Sequence, residues 1–169
     1  MSIANLVILM VFPVTMAFAA SSDLMTMRIS NRLILLLGLA FCLAAFLMDM
    51  PLRDFGIHFA IAIAVLVAGF TLFTFGWVGG GDAKLAAAAS LWLGLGHTLP
   101  FLIYAALLGG ALTLGILALR HLPLPQALVK VSWIDRLHDK KSGVPYGIAL
   151  AVAGMIVYTD TSIFAHFAS

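Results

Sequence analysis

The sequence predicts an all-α, polytopic membrane protein of six transmembrane helices, with residues 1–169 forming a single membrane-embedded domain. Three observations predict it. Hydrophobic residues make up 63% of the chain and charged residues only 9%, whereas a soluble domain carries about 25% charged residues. The mean hydropathy is +1.14. The apolar residues also gather into runs near the ~20 residues that cross a bilayer core.

The runs cover roughly 3–20, 33–50, 55–78, 83–97, 99–119 and 144–160. A continuous helix over 83–119 would be about 55 Å long, far beyond a ~30 Å hydrocarbon core, so a break is expected at His97-Thr98-Leu99-Pro100. The first run ends Ala17-Phe18-Ala19-Ala20, which mimics a signal-peptidase site, but no lysine or arginine lies in Met1–Asn5 and it reads as a retained span. The bases orient the spans, because Lys and Arg in short loops are held in the cytoplasm. With the amino terminus outside, the inside loops hold eight of the nine bases: Arg28 and Arg32, then Lys84, then Arg120, Lys130, Arg136, Lys140 and Lys141. Only Arg53 falls outside. The third inside loop, about 120–143, reads as an amphipathic surface segment with Trp133 at headgroup level.

Three polar places stand out, each at the expected cytoplasmic end of a span: Ser21–Asn31, Gly79–Leu85 and Gly143–Gly147. All seven acids are aspartates, and an acid beside a membrane is costly unless paired or wetted, which makes Asp23 and Asp82 candidate site residues. Two carboxylates a few ångströms apart cannot both ionise easily and share a proton. One then serves as base and the other as acid, which is the chemistry of an aspartic peptidase. Gly79, Gly80 and Gly81 suit it, because glycine admits positive φ and lets a substrate backbone lie close to the loop.

Plainer roles exist for the same residues. Asp82 could be the N-cap of the fourth span, Asp23 an interfacial acid balancing Arg28, Pro145 a first-turn proline, and Gly143-xxx-Gly147 a helix-packing surface. His58, His97, His121, His138 and His166 show no ligand spacing, Cys42 is alone, and no P-loop or G-x-S-x-G elbow occurs.

In three ordered blocks the chain resembles the prepilin peptidase family of intramembrane aspartic peptidases. Asp23 with Arg28-Ile29-Ser30-Asn31 resembles the family's first catalytic aspartate and its basic-Ile-Pro-Asn segment. Gly79-Gly80-Gly81-Asp82-Ala83-Lys84-Leu85 resembles the GxGD motif followed by lysine, and Val144-Pro145-Tyr146-Gly147-Ile148-Ala149 the late Pro-aromatic-small block. Ser30 departs from the family's proline, in a turn leading to Asn31 as helix cap. The resemblance implies Asp23 and Asp82 as the catalytic pair, with Gly79, Gly80, Gly81, Pro145, Tyr146 and Gly147 on the substrate side. Lys84, two residues past Asp82 and so on a different helix face, is given no catalytic role.

Long members of that family carry a zinc-binding Cys-x-x-Cys insert that accompanies methyltransferase activity, and a chain with one cysteine has none. The resemblance is to short, peptidase-only members associated with Flp-type (tight-adherence) pili. It implies an inner-membrane enzyme, embedded in the lipid bilayer, that removes the basic leader of a type IV prepilin at the cytoplasmic face, after a glycine. No metal, organic cofactor or nucleic-acid partner is implied, and the oligomeric state is left open. The rival reading is a small proton-coupled transporter using the two acids as a relay, which would more naturally place them near the midplane of a repeated fold.

The basic bias makes a direct prediction about topology. Cysteine introduced at Arg53 should react with a membrane-impermeant reagent on intact cells, whereas cysteine at Ser142 should not. Labelling at Ser142 would reverse the orientation.

Overall fold

The computed structural model describes residues 2–125 and 130–168. Seven helices account for most of them: α1 (Ile3–Thr26), α2 (Asn31–Leu47), α3 (Leu52–Thr74), α4 (Gly80–Leu119), α5 (Ser132–His138), α6 (Gly147–Tyr158) and α7 (Ser162–Ala168). No strand occurs among the described residues. By length and composition α1, α3 and α4 are membrane-capable, and the pair α6–α7, bent by 61°, makes a fourth candidate. α2 is apolar but has 17 residues. Of the expected inside loop over 120–143, residues 126–129 lie outside the described residues, and α5 supplies its one described helix.

Two boundaries differ from the sequence expectation. The break in the long fourth helix falls at Gly94, with φ 69° and ψ −172°, and not at His97–Pro100. Pro100 is accommodated inside the helix. Only glycine enters that backbone region readily, so its lack of Cβ outweighs proline's missing N–H in placing the break. The chain reverses there: Asp82 and Thr113 line one cavity, although a continuous helix would hold them about 45 Å apart. The last apolar run is likewise shorter as a helix than expected, and its continuation is bent. α6 is 12 residues long, and Thr161 starts α7 by accepting a hydrogen bond from the Phe164 N–H at 3.2 Å.

α4 is the central element, packed against α3, α6 and α2, while α1 packs on α6, α7 and α2. Aromatic rings join these helices. Phe12 of α1 stacks on Tyr158 of α6 at 4.5 Å, and Trp92 of α4 lies 5.6 Å from Phe12 and 6.1 Å from Phe41 of α2. The Trp92 indole N–H donates to the Leu37 carbonyl at 2.9 Å, which satisfies the buried polar edge of a large apolar side chain. Small residues bring backbones together elsewhere: a Cβ at Gly69 would sit 2.9 Å from the Ala83 Cβ. α3 contains no buried residue, as expected of a helix whose outer surface faces lipid.

His58 supports the reversal. Its Nδ1 lies 2.7 Å from the Leu91 carbonyl, just before Gly94, and a Cβ at Gly94 would meet the imidazole at 2.7 Å. Gly94→Ala should therefore destabilise by about 1–3 kcal/mol from backbone strain alone, with a further loss from the imidazole contact. Thermal unfolding in detergent would measure it. Adding His58→Ala should recover only the contact part, and an unchanged melting temperature in Gly94→Ala would rule out the strained reversal.

Candidate functional site

Asp23 lies one turn before the end of α1. That end is made by Met27, whose left-handed backbone (φ 53°, ψ 34°) returns its N–H to the Asp23 carbonyl at 2.7 Å. The Asp23 side chain is buried, with 6% exposure, and its Oδ2 accepts the Gly147 N–H at 2.8 Å. Gly147 is the first residue of α6, so this acceptor occupies one of the donors that a helix start leaves free. A Cβ at Gly147 would press on Asp23 Oδ2 at 2.8 Å and Ile29 Cδ1 at 3.1 Å.

Asp82 is not the N-cap of α4. Gly79 holds that position and Asp82 is the third helical residue, with its carboxylate folded back so that a Cβ on Gly79 would meet Oδ2 at 2.6 Å. The glycines thus act by close approach and not through positive φ. Gly79 has φ −70°, Gly80 faces the Phe73 ring and Gly81 faces Ile29 at 3.3 Å. The left-handed turn of this loop falls earlier, at Gly76 (φ 72°).

The fold brings both carboxylates to one cavity of about 660 Å³, where they also share walls from Met27, Phe73, Trp77, Gly79, Thr113 and Tyr146. A second, apolar cavity of about 380 Å³ continues from Asp82 and Tyr146 between α3 and α4, past Ala64, Ala68, Ala86 and Ala105. Among the described residues no three His, Cys, Asp or Glu side chains converge as a metal-ligand group.

The remaining sequence candidates divide. Tyr146 lines both cavities and is pinned by its hydroxyl, which donates to the Ala105 carbonyl at 3.0 Å. Its ring fills the space where a Cβ of Gly109 would stand. Pro145 is fully buried and precedes the N-cap Tyr146, so it is no first-turn proline. Gly143 has open space about its Cβ direction, and α6 begins only at Gly147, so Gly143 and Gly147 form no common helix-packing face. The cap of α2 is Ser30, not Asn31: its Oγ accepts the Arg32 N–H at 3.2 Å. Ser30 has φ −68°, the value proline would impose, so the departure from the family pattern leaves the turn unchanged. Asn31 instead accepts from Lys84 Nζ at 3.0 Å, a link between the first two motif blocks that no spacing argument shows. Phe73, Trp77 and Thr113 were also invisible in the sequence, since each lies outside the motifs and reaches the cavity only through the packing of α3 against the reversed α4.

Residues 10–114, more than half of the chain, match the type IV leader peptidase family. The chain belongs to that family. The matched stretch contains the Asp23 and Asp82 blocks and ends before Gly143–Gly147. No curated protein and no solved structure gives a significant match. Membership of the type IV leader peptidase family makes the chain a peptidase and implies pilin-like substrates.

The contact between Gly147 and Asp23 carries a prediction for this peptidase. The added Cβ must displace the Asp23 carboxylate, so Gly147→Ala should lower leader-peptide cleavage by about 100-fold on the expectation that Asp23 takes part in it, a misplacement of order 1 Å costing about that much. Gly143→Ala, with open space around it, should cleave within about twofold of wild type and serves as the control. Cleavage by purified variants of equal melting temperature would decide, and an active Gly147→Ala enzyme would remove Asp23 from the reacting geometry.

Proposed function

We propose that this chain is an aspartic endopeptidase of the inner membrane that cuts the basic leader from Flp-type prepilins at the cytoplasmic face, after a glycine, with Asp23 and Asp82 as its catalytic pair. One observation carries the reading: in a chain of the type IV leader peptidase family, acids from α1 and α4 line a single cavity. Six membrane passes accord with it, because the two limbs of α4 count separately once the chain reverses at Gly94. The whole of 1–169 then forms one embedded domain.

In this reading the pair holds one proton. The ionised carboxylate takes a proton from water as the oxygen attacks the scissile carbonyl, and the protonated one donates to the carbonyl oxygen. Collapse of the tetrahedral intermediate breaks the C–N bond, and the proton taken from water passes to the leaving amine. The Gly147 N–H fixes the orientation of Asp23 throughout. The apolar cavity beside Asp82 and Tyr146 would seat the start of the substrate's apolar segment, since its alanine walls admit a helix closely. No methylation follows cleavage, because no Cys-x-x-Cys pair occurs in the sequence.

Asp23→Asn and Asp82→Asn should each reduce cleavage by about 10²–10⁴-fold with insertion and yield unchanged. Asparagine keeps size and acceptor but neither ionises nor shares a proton. The double variant should be little worse than either single one, because groups acting as a unit are not additive. Asp49, Asp54 and Asp160 are the controls. Asp49 has φ 49°, a conformation asparagine also tolerates. Retained cleavage by inserted Asp82→Asn would end the aspartic reading and bring the proton-coupled transporter forward.

A further inference from the structure

The segment that delivers Gly147 to Asp23 is held from behind by an arginine that no motif contains. Arg120, the C-cap of α4, is 8% exposed. Its Nε donates to the Leu137 carbonyl at 2.8 Å, and its Nη2 donates to Ser142 at 3.0 Å and Gly143 at 2.9 Å. Among the described residues its three hydrogen-bond partners are backbone carbonyls. A buried cation without a carboxylate is costly unless its donors are satisfied, and lysine cannot reproduce the planar fork that reaches three carbonyls at once.

The clamp acts on a short, stiff lever. Beyond Gly143 the chain passes the buried Pro145, then Tyr146, tied to Ala105 of α4, then Gly147, tied to Asp23. Residues 142–147 are thus bonded to α4 at two places, Arg120 and Ala105, and to α1 at one. α4 also carries Asp82 in its first turn. One helix therefore positions its own acid directly and the other acid through the segment it grips.

We infer that Arg120 is a positioning residue for peptide cleavage, holding the Ser142 and Gly143 carbonyls so that the Gly147 N–H is presented to the Asp23 carboxylate. The inference rests on the proposed Asp23–Asp82 pair. It assigns a cleavage role to a residue beyond residues 10–114, the stretch that carries the family match.

The test uses the full chain in proteoliposomes and a synthetic segment with a basic leader, a glycine and an apolar tail. Arg120→Lys and Arg120→Met should each lower kcat at least about tenfold, with KM within about threefold. A purely structural role would remove folded enzyme and scale the rate equally at every pH. A loosened Gly147–Asp23 contact instead displaces the pH–rate profile, whose shape is independent of how much enzyme folds. In a double-mutant cycle Arg120→Met should add little to Gly147→Ala, since both act through one hydrogen bond. A displaced profile together with non-additivity supports the role. A superimposable profile, additive losses, or failure of both variants to insert overturns it. If Asp23→Asn is inactive and the Arg120 profile is unmoved, only this inference fails; if Asp23→Asn cleaves normally, the pair itself is wrong.

Discussion

The hydrogen bond from the Gly147 N–H to the Asp23 carboxylate is the constraint on which the arrangement of the acid site depends. It joins the last turn of α1 to the first residue of α6, with the Asp23 side chain taking up a backbone N–H that the start of α6 leaves free. A helix start offers free N–H groups and partial positive charge, and a carboxylate meets both requirements. Everything nearby is arranged for this contact. Gly147 lacks the Cβ that would push Asp23 away, Pro145 and Tyr146 set the approach of the chain, and Ile29 closes the far side.

α4 is the frame against which that contact is measured. Its reversal at Gly94 returns the second limb alongside the first, so that Thr113 and Ala105 stand near the end that begins with Asp82. Backbone strain at the reversal is tolerated because the elements around it are strongly fixed. His58 occupies the Leu91 carbonyl, and Trp92 is bonded to α2 and packed among Phe12 and Phe41. His58 gives the Leu91 carbonyl beside the break the hydrogen-bond partner that a part-buried polar group needs.

Close approach without Cβ atoms recurs at each functional joint. Gly79 admits the Asp82 carboxylate, Gly81 admits Ile29, Gly109 admits the Tyr146 ring, and Gly147 admits Asp23. Only Gly76 and Gly94 use the conformational freedom of glycine. The glycine-rich block before Asp82 therefore serves packing more than turning, which corrects the positive φ expected of it and keeps the close approach.

How much was legible beforehand follows from what kind of physics each feature obeys. Membrane embedding, the helical class and the polar ends of the apolar runs are one-dimensional properties, set by hydropathy and by the cost of charge near lipid, and the sequence determined them. It also singled out Asp23, Asp82 and the Pro145-Tyr146-Gly147 turn, because an acid beside lipid is costly and the three blocks resemble the motifs of one family in their order. Tertiary structure decided the rest. The support of the Gly94 break by His58, the Lys84–Asn31 link and the grip of Arg120 depend on which groups meet once the helices pack, and each is made with a partner from another helix or loop that only the fold brings within hydrogen-bonding distance. The caps at Ser30 and Thr161 are local, to Arg32 and Phe164, but which of several neighbouring polar residues starts a helix is decided by where the packed helix begins.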